Sequence, residues 1–127
     1  MRERDYYTPI GKYYTKTATV TTPWEAKLSR TKYINFRCLA PHQEERLLQS
    51  ERRLNYKFPD EGRGLKPFDG VCIVMGKPMF IAIYYRPNDT KIYEIPLRAF
   101  LKEKYESGEK SLHEDRAKEI GKEIFLS

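Results

Sequence analysis

Two apolar runs separated by only three residues constrain this chain more than any other feature. Phe68-Asp-Gly-Val-Cys-Ile-Val-Met75 and Met79-Phe-Ile-Ala-Ile-Tyr-Tyr85 flank Gly76-Lys77-Pro78. Runs of this length without polar alternation predict strands buried on both faces, and so short a connection predicts that they pair as a hairpin. A third strand is expected over Lys91–Ile95, after the turn residues Pro87-Asn88-Asp89. A sheet covered on both sides requires helices against it, which places the chain in the α/β class as a mixed β-sheet flanked by helices. At 127 residues a single domain spanning residues 1–127 is expected, because one core commonly holds ~100–200 residues. Neither a repeat nor a linker divides it.

The remaining elements follow from local pattern. Residues 12–22 are rich in Tyr, Thr and Val and predict a strand. Trp24-Glu-Ala-Lys-Leu28 alternates, so a second strand puts Trp24, Ala26 and Leu28 on one face and Glu25 with Lys27 on the other. A short strand at Tyr33–Phe36 leads to Pro41, a good first residue for a helix running to about Leu54 with Leu47, Leu48 and Leu54 inward. Arg46, Arg52 and Arg53 are left for solvent or phosphate. Asn55–Phe58 reads as a strand, and residues 59–67 as a loop. Pro96 opens a helix to about Tyr105 with Leu97, Phe100 and Leu101 inward, stopped by Ser107-Gly108. Ser111-Leu-His-Glu114 has capping-box spacing and predicts a last helix of ~10 residues beginning there, with His113 inside the box.

Composition narrows the partners. Basic residues exceed acidic ones by 6, spread along the whole chain, which suits a polyanion as well as an ordinary solvated surface. Ten tyrosines supply rings for packing or base stacking, and Tyr84 and Tyr85 are read as packing. No stretch approaches the ~18 apolar residues of a membrane span, and no signal-peptide pattern opens the chain, so a soluble, cytoplasmic protein without a membrane partner is expected. Cys38 and Cys72 lack metal-ligand spacing and sit among apolar neighbours, which reads as two small hydrophobes without a disulfide or zinc site.

Glu25-Ala-Lys27 carries the chemistry. A carboxylate and an ammonium on one strand face suit metal-assisted hydrolysis: Glu offers oxygen to a hard divalent cation, and Lys orients water and offsets phosphate charge. A solvent-facing ion pair is the competing explanation. The triplet has context, however. Trp24-Glu-Ala-Lys-Leu28, Tyr33-Ile-Asn-Phe36 and Ala40-Pro-His-Gln43, with Lys66-Pro-Phe-Asp69 and Gly108-Glu-Lys-Ser-Leu112 further on, together resemble the Holliday-junction resolvase branch of the PD-(D/E)XK nucleases, in its phage and viral type. The resemblance spans roughly residues 23–120.

That resemblance implies a restriction-endonuclease-like core, Mg²⁺- or Mn²⁺-dependent cleavage of branched or structured DNA, and a homodimer that cuts two strands, in a host cytoplasm if the source is viral. It implies Glu25 and Lys27 as catalytic residues, Glu25 as a metal ligand, and Gln43 beside His42 as a phosphate or water contact. The sequence departs from the pattern in one respect, because residues 6–24 contain no acid to supply the second carboxylate that usually precedes the triplet. Upstream only Glu3 and Asp5 remain. Downstream, Asp60 and Asp69 are the alternatives, and Asp69, opening a buried strand, is preferred as both catalytic residue and metal ligand. Asp60 reads better as turn chemistry, in Phe58-Pro-Asp60 at the start of a loop. Arg30, Arg63 and Lys66 are expected to contact nucleic acid through its phosphates. The rival to an enzyme is a non-catalytic nucleic-acid-binding protein on a nuclease-like scaffold.

Overall fold

The computed structural model describes residues 2–17, 22–51, 54–58, 70–74 and 76–126. A four-stranded mixed sheet lies at its centre, in the order β1 (Trp24–Ser29), β5 (Met79–Tyr84), β6 (Lys91–Pro96), β8 (Lys122–Glu123). Strand β5 pairs in parallel with β1, Glu25 opposite Phe80 and Lys27 opposite Ala82, and antiparallel with β6. Two further pairs stand apart from it: β2 (Tyr33–Asn35) with β7 (Ser111–His113), and β3 (Leu54–Phe58) with β4 (Gly70–Val74).

The strand run Phe80–Tyr84 is fully buried, and alternation divides it between two cores. Phe80, Ala82 and Tyr84 join Tyr93 and Ile95 on one face. Helix α3 (Leu97–Glu106), helix α2 (Pro41–Gln49) and α4 (Glu114–Ile120) cover that face, with Leu97, Phe100 and Ala117 buried in it and Leu47 and Leu48 packed at its margin. The rings of Phe80 and Phe100 stack with centroids 3.9 Å apart; burying one such side chain contributes ~1.5–3 kcal/mol. Ile81 and Ile83 face the other way and meet Ala26, Ile92 and Ile124 under helix α1 (Tyr7–Thr17), which presents Ile10 and Tyr14 in line with Tyr6 of the preceding 3-10 turn. The α/β class with a mixed sheet between helices is therefore as expected.

Four local expectations need correction. Residues 12–17 belong to α1 rather than to a strand. Tyr6, Ile10 and Tyr14 recur every four positions and form one helical stripe, and burial of that stripe outweighs the modest strand preference of Tyr and Thr. Pro9 falls in the first turn, where its missing N–H costs nothing. Helix α2 ends at Gln49, with Ser50 as its buried C-cap, and Leu54 starts β3.

The hairpin expected between β4 and β5 does not form. A strand has two edges, and β1 and β6 occupy both edges of β5, so β4 pairs with β3 instead. Gly76-Lys77-Pro78 passes the chain from one sheet to the other: the Gly76 amide donates to the Ser50 carbonyl at 3.1 Å, and the Pro78 carbonyl accepts from Leu97 at 3.0 Å.

Ser111 is not a helix cap. Ser111–His113 is the strand β7, held by pairing of buried Leu112 with Ile34, and the Tyr84 hydroxyl donates to the Leu112 carbonyl at 2.9 Å. The helix starts at Glu114 and is seven residues long. His113 caps it, with Nδ1 accepting from the Asp115 amide at 3.0 Å. Gly108 carries φ 78°, the left-handed conformation that glycine supplies without strain just past a helix C-terminus. Among the described residues no helix is long and apolar enough to cross a membrane.

Candidate active site

Alternation in β1 separates its side chains as expected. Ala26 is buried beneath α1, with Trp24 and Leu28 packed at the same core, while Glu25 and Lys27 emerge on the α2–α3 side. Residues two apart on a strand are separated by ~6.6 Å, near enough for their side chains to meet. The Lys27 Nζ lies 3.4 Å from Glu25 Oε1, and the side chains are 21% and 30% exposed respectively. A partly exposed pair of this kind is worth ~0–1 kcal/mol, too little to make it a stabilising feature of the fold.

The N-terminal turn Glu3–Tyr6 packs along β1 and brings a second carboxylate into the neighbourhood. Tyr7 donates its hydroxyl to Glu3 Oε1 at 2.9 Å, and its ring meets Trp24 edge-on at 5.9 Å. That hydrogen bond, then burial, then the charges of Glu3 and Glu25 hold the Tyr7 hydroxyl above its ordinary pKa. Asp5 is engaged otherwise: its Oδ2 accepts from the Arg2 amide at 2.7 Å, which lowers its pKa. Of the two upstream acids, Glu3 therefore shares the surroundings of Glu25. The sequence offers Glu3 only as one of two upstream acids, with Asp69 preferred to both, because nothing local marks residue 3; only the fold of the turn against β1 does so.

Cys38 ends the 3-10 turn Phe36–Cys38 and packs at the margin of the core, the role expected of a small hydrophobe. Burial pushes its thiol up to about 11, against the pull of Lys27 and Lys104 and with a smaller push from Glu3 and Glu25. Buried Glu44 of α2 accepts from Lys104 Nζ; the Tyr105 hydroxyl lies 2.7 Å from its Oε2 and 2.9 Å from its Oε1, and Lys104 also donates to the Leu39 carbonyl at 2.9 Å. This network ties α2 to α3.

The other residues singled out from sequence are dispersed. Gln43 Oε1 accepts from the Ala40 amide at 3.0 Å and closes the first turn of α2, and His42 is exposed beside it. Arg30 follows β1 with its guanidinium 4.9 Å from the Tyr85 ring centroid. Asp60, Arg63, Lys66 and Asp69 lie outside the described residues, as does the loop expected at 59–67; Asp69 immediately precedes Gly70, the first residue of β4. Among the described residues no three His, Cys, Asp or Glu side chains form a ligand set for an ion. No family model, curated protein or solved structure matches the chain.

Proposed function

We propose that this protein is a metal-dependent endonuclease hydrolysing phosphodiester bonds in structured or branched DNA, on a restriction-endonuclease-like core, and that it acts as a homodimer. One observation carries the reading: Glu25 and Lys27 stand side by side on one face of an edge strand, half-buried, 3.4 Å apart. The donor chemistry fits a hard cation such as Mg²⁺ or Mn²⁺. Glu25 and Glu3 offer carboxylate oxygens, which such ions prefer.

In this reading Glu25 and Asp69 hold the ion, which when bound supplies Lewis acidity toward the scissile phosphate. The ammonium of Lys27 orients the attacking water through a hydrogen bond and offsets charge that accumulates on the phosphate oxygens. The chain's excess of 6 positive charges attracts the phosphate backbone, with Gln43, Arg30, Arg63 and Lys66 as proposed contacts. Two sites related by a twofold axis would cut the two strands of a junction.

Incubation with four-way junction, flap and linear duplex DNA, with and without Mg²⁺ and Mn²⁺, tests the proposal. Cleavage that requires the metal and favours the junction supports it. Salt-sensitive binding without cleavage under any of these conditions leaves the non-catalytic nucleic-acid binder instead.

A further inference from the structure

A groove runs between the β2–β7 ribbon and the C-terminal half of α3. It consists of two adjoining clefts of about 320 and 300 Å³, and both are lined by Phe36 and Glu109. The ribbon is placed there by the fold: the Phe36 amide donates to the Lys110 carbonyl at 3.0 Å, and buried Phe36 packs against Phe100 as the groove's floor.

Its walls combine two kinds of side chain. Tyr105 lines one cleft and Tyr33 the other, and they are 64% and 56% exposed, large rings on a surface that otherwise buries most of its aromatics. Tyr33 is propped edge-on by His113, with ring centroids 4.9 Å apart. Arg37 and Lys110 line the same cleft as Tyr105, both exposed, and no ion pair among the described residues engages either. The remaining charges are largely committed: Lys104 to Glu44, and Arg116 to Glu103 and Glu119. Glu109 is the acid left facing the groove.

An exposed ring in each cleft, with Arg37 and Lys110 beside Tyr105 in the first, matches the chemistry of unpaired nucleotides, whose bases stack on aromatic faces while the phosphates sit on Arg and Lys. Clefts of this size take small-molecule-sized groups, so a nucleotide fits each one, whereas a base-paired duplex is too broad to enter. We propose that this groove is a single-strand subsite, binding an unpaired stretch of nucleic acid through phosphate contacts to Arg37 and Lys110 and base stacking on Tyr33 and Tyr105. The inference rests on the nucleic-acid reading above and deepens it: the preferred substrate carries a single-stranded segment.

The test measures binding of fluorescently labelled oligo-dT and of blunt duplex by anisotropy in metal-free buffer over a salt series. It compares the full-length wild type, Arg37→Ala/Lys110→Ala and Tyr33→Ala. Junction cleavage in Mg²⁺ is followed in parallel, and thermal melts verify folding. Each phosphate contact on a single strand contributes ~0.7 to the log–log salt slope, so the double variant should lose ~1.4 from that slope. Tyr33→Ala should weaken oligo-dT binding roughly 5- to 150-fold, the range for loss of one stacking ring, with little change for blunt duplex. Unchanged oligo-dT affinity and slope in both folded variants, with wild-type cleavage intact, would overturn the groove while leaving the nuclease reading standing. Poly-glutamate bound as tightly as oligo-dT would also overturn it, by showing generic polyanion attraction. A wild type that neither binds nor cuts any nucleic acid would overturn both.

Discussion

Replacing Lys104 by Met should destabilise the protein by ~3 kcal/mol. Lys104 and Glu44 are 13% and 10% exposed, so removing the ammonium leaves a carboxylate with little access to water. Breaking a buried pair from one side costs ~3–5 kcal/mol. The lower end applies because the Tyr105 hydroxyl still reaches both Glu44 oxygens and Met fills much of the vacated volume. Unfolding entropy of ~2.1 cal/mol/K per residue over 127 residues converts this loss to a drop in Tm of ~11 °C. Scanning calorimetry at pH 7 reads it directly. The double variant Glu44→Leu/Lys104→Met removes both charges and should regain most of the loss, since apolar replacement of an entire buried pair is often neutral or favourable. A fall below ~3 °C in the single variant, or a double variant less stable than the single, would refute the claim that this pair is desolvated and locks α2 onto α3.

Arg86 grips Glu114 through two hydrogen bonds of 3.0 and 2.6 Å, and that contact holds the Glu114 carboxyl below its ordinary pKa. A depressed carboxylate contributes its stability fully above the unfolded pKa of ~4.3 and loses it as pH falls through the folded value. The Tm gap between wild type and Arg86→Gln should therefore narrow steadily below that pH, and a constant gap down to strongly acid conditions would contradict the linkage. Lys27→Ala should abolish DNA cleavage while changing stability by less than ~1 kcal/mol and leaving Mn²⁺ binding intact by calorimetry; lost Mn²⁺ binding would make Lys27 a structural support of the site. Asp69→Asn should eliminate cleavage while leaving the metal-free protein as stable or more stable, because it relieves repulsion between acids; full activity of this variant would remove Asp69 from the site and turn attention to Glu3.

Legibility in the sequence followed how local each determinant is. The β1 alternation fixes which side chains share a face regardless of the strand's partners, so the Glu25 and Lys27 juxtaposition was readable from five residues. The burial of Phe80–Tyr84 was equally plain, since no polar residue interrupts it. Pairing was not. A three-residue link permits a hairpin between β4 and β5, and only competition for the two edges of β5 sends β4 to β3. Helix α1 escaped because its Tyr6, Ile10 and Tyr14 stripe becomes favourable only against the sheet, whereas local composition from residue 12 onward favours a strand. The Ser111 capping pattern failed for a similar reason: burial of Leu112 in a strand pair outweighed a cap, and the Glu114 amide that Ser111 was expected to take donates to the Lys32 carbonyl instead. Glu3 illustrates the limit for the site, since its nearness to Glu25 comes from a turn packed against β1.

The most direct measurement compares wild type with Glu25→Gln on a labelled four-way junction in Mg²⁺, with binding to the same junction followed in metal-free buffer. The substitution keeps side-chain shape and hydrogen-bonding capacity but removes the charge that would hold the cation. We expect paired incisions across the junction by the wild type, no incision by Glu25→Gln, and equal affinity for both. Mg²⁺-dependent cutting that persists in Glu25→Gln would contradict the assignment of Glu25 and, with it, the active site proposed on β1.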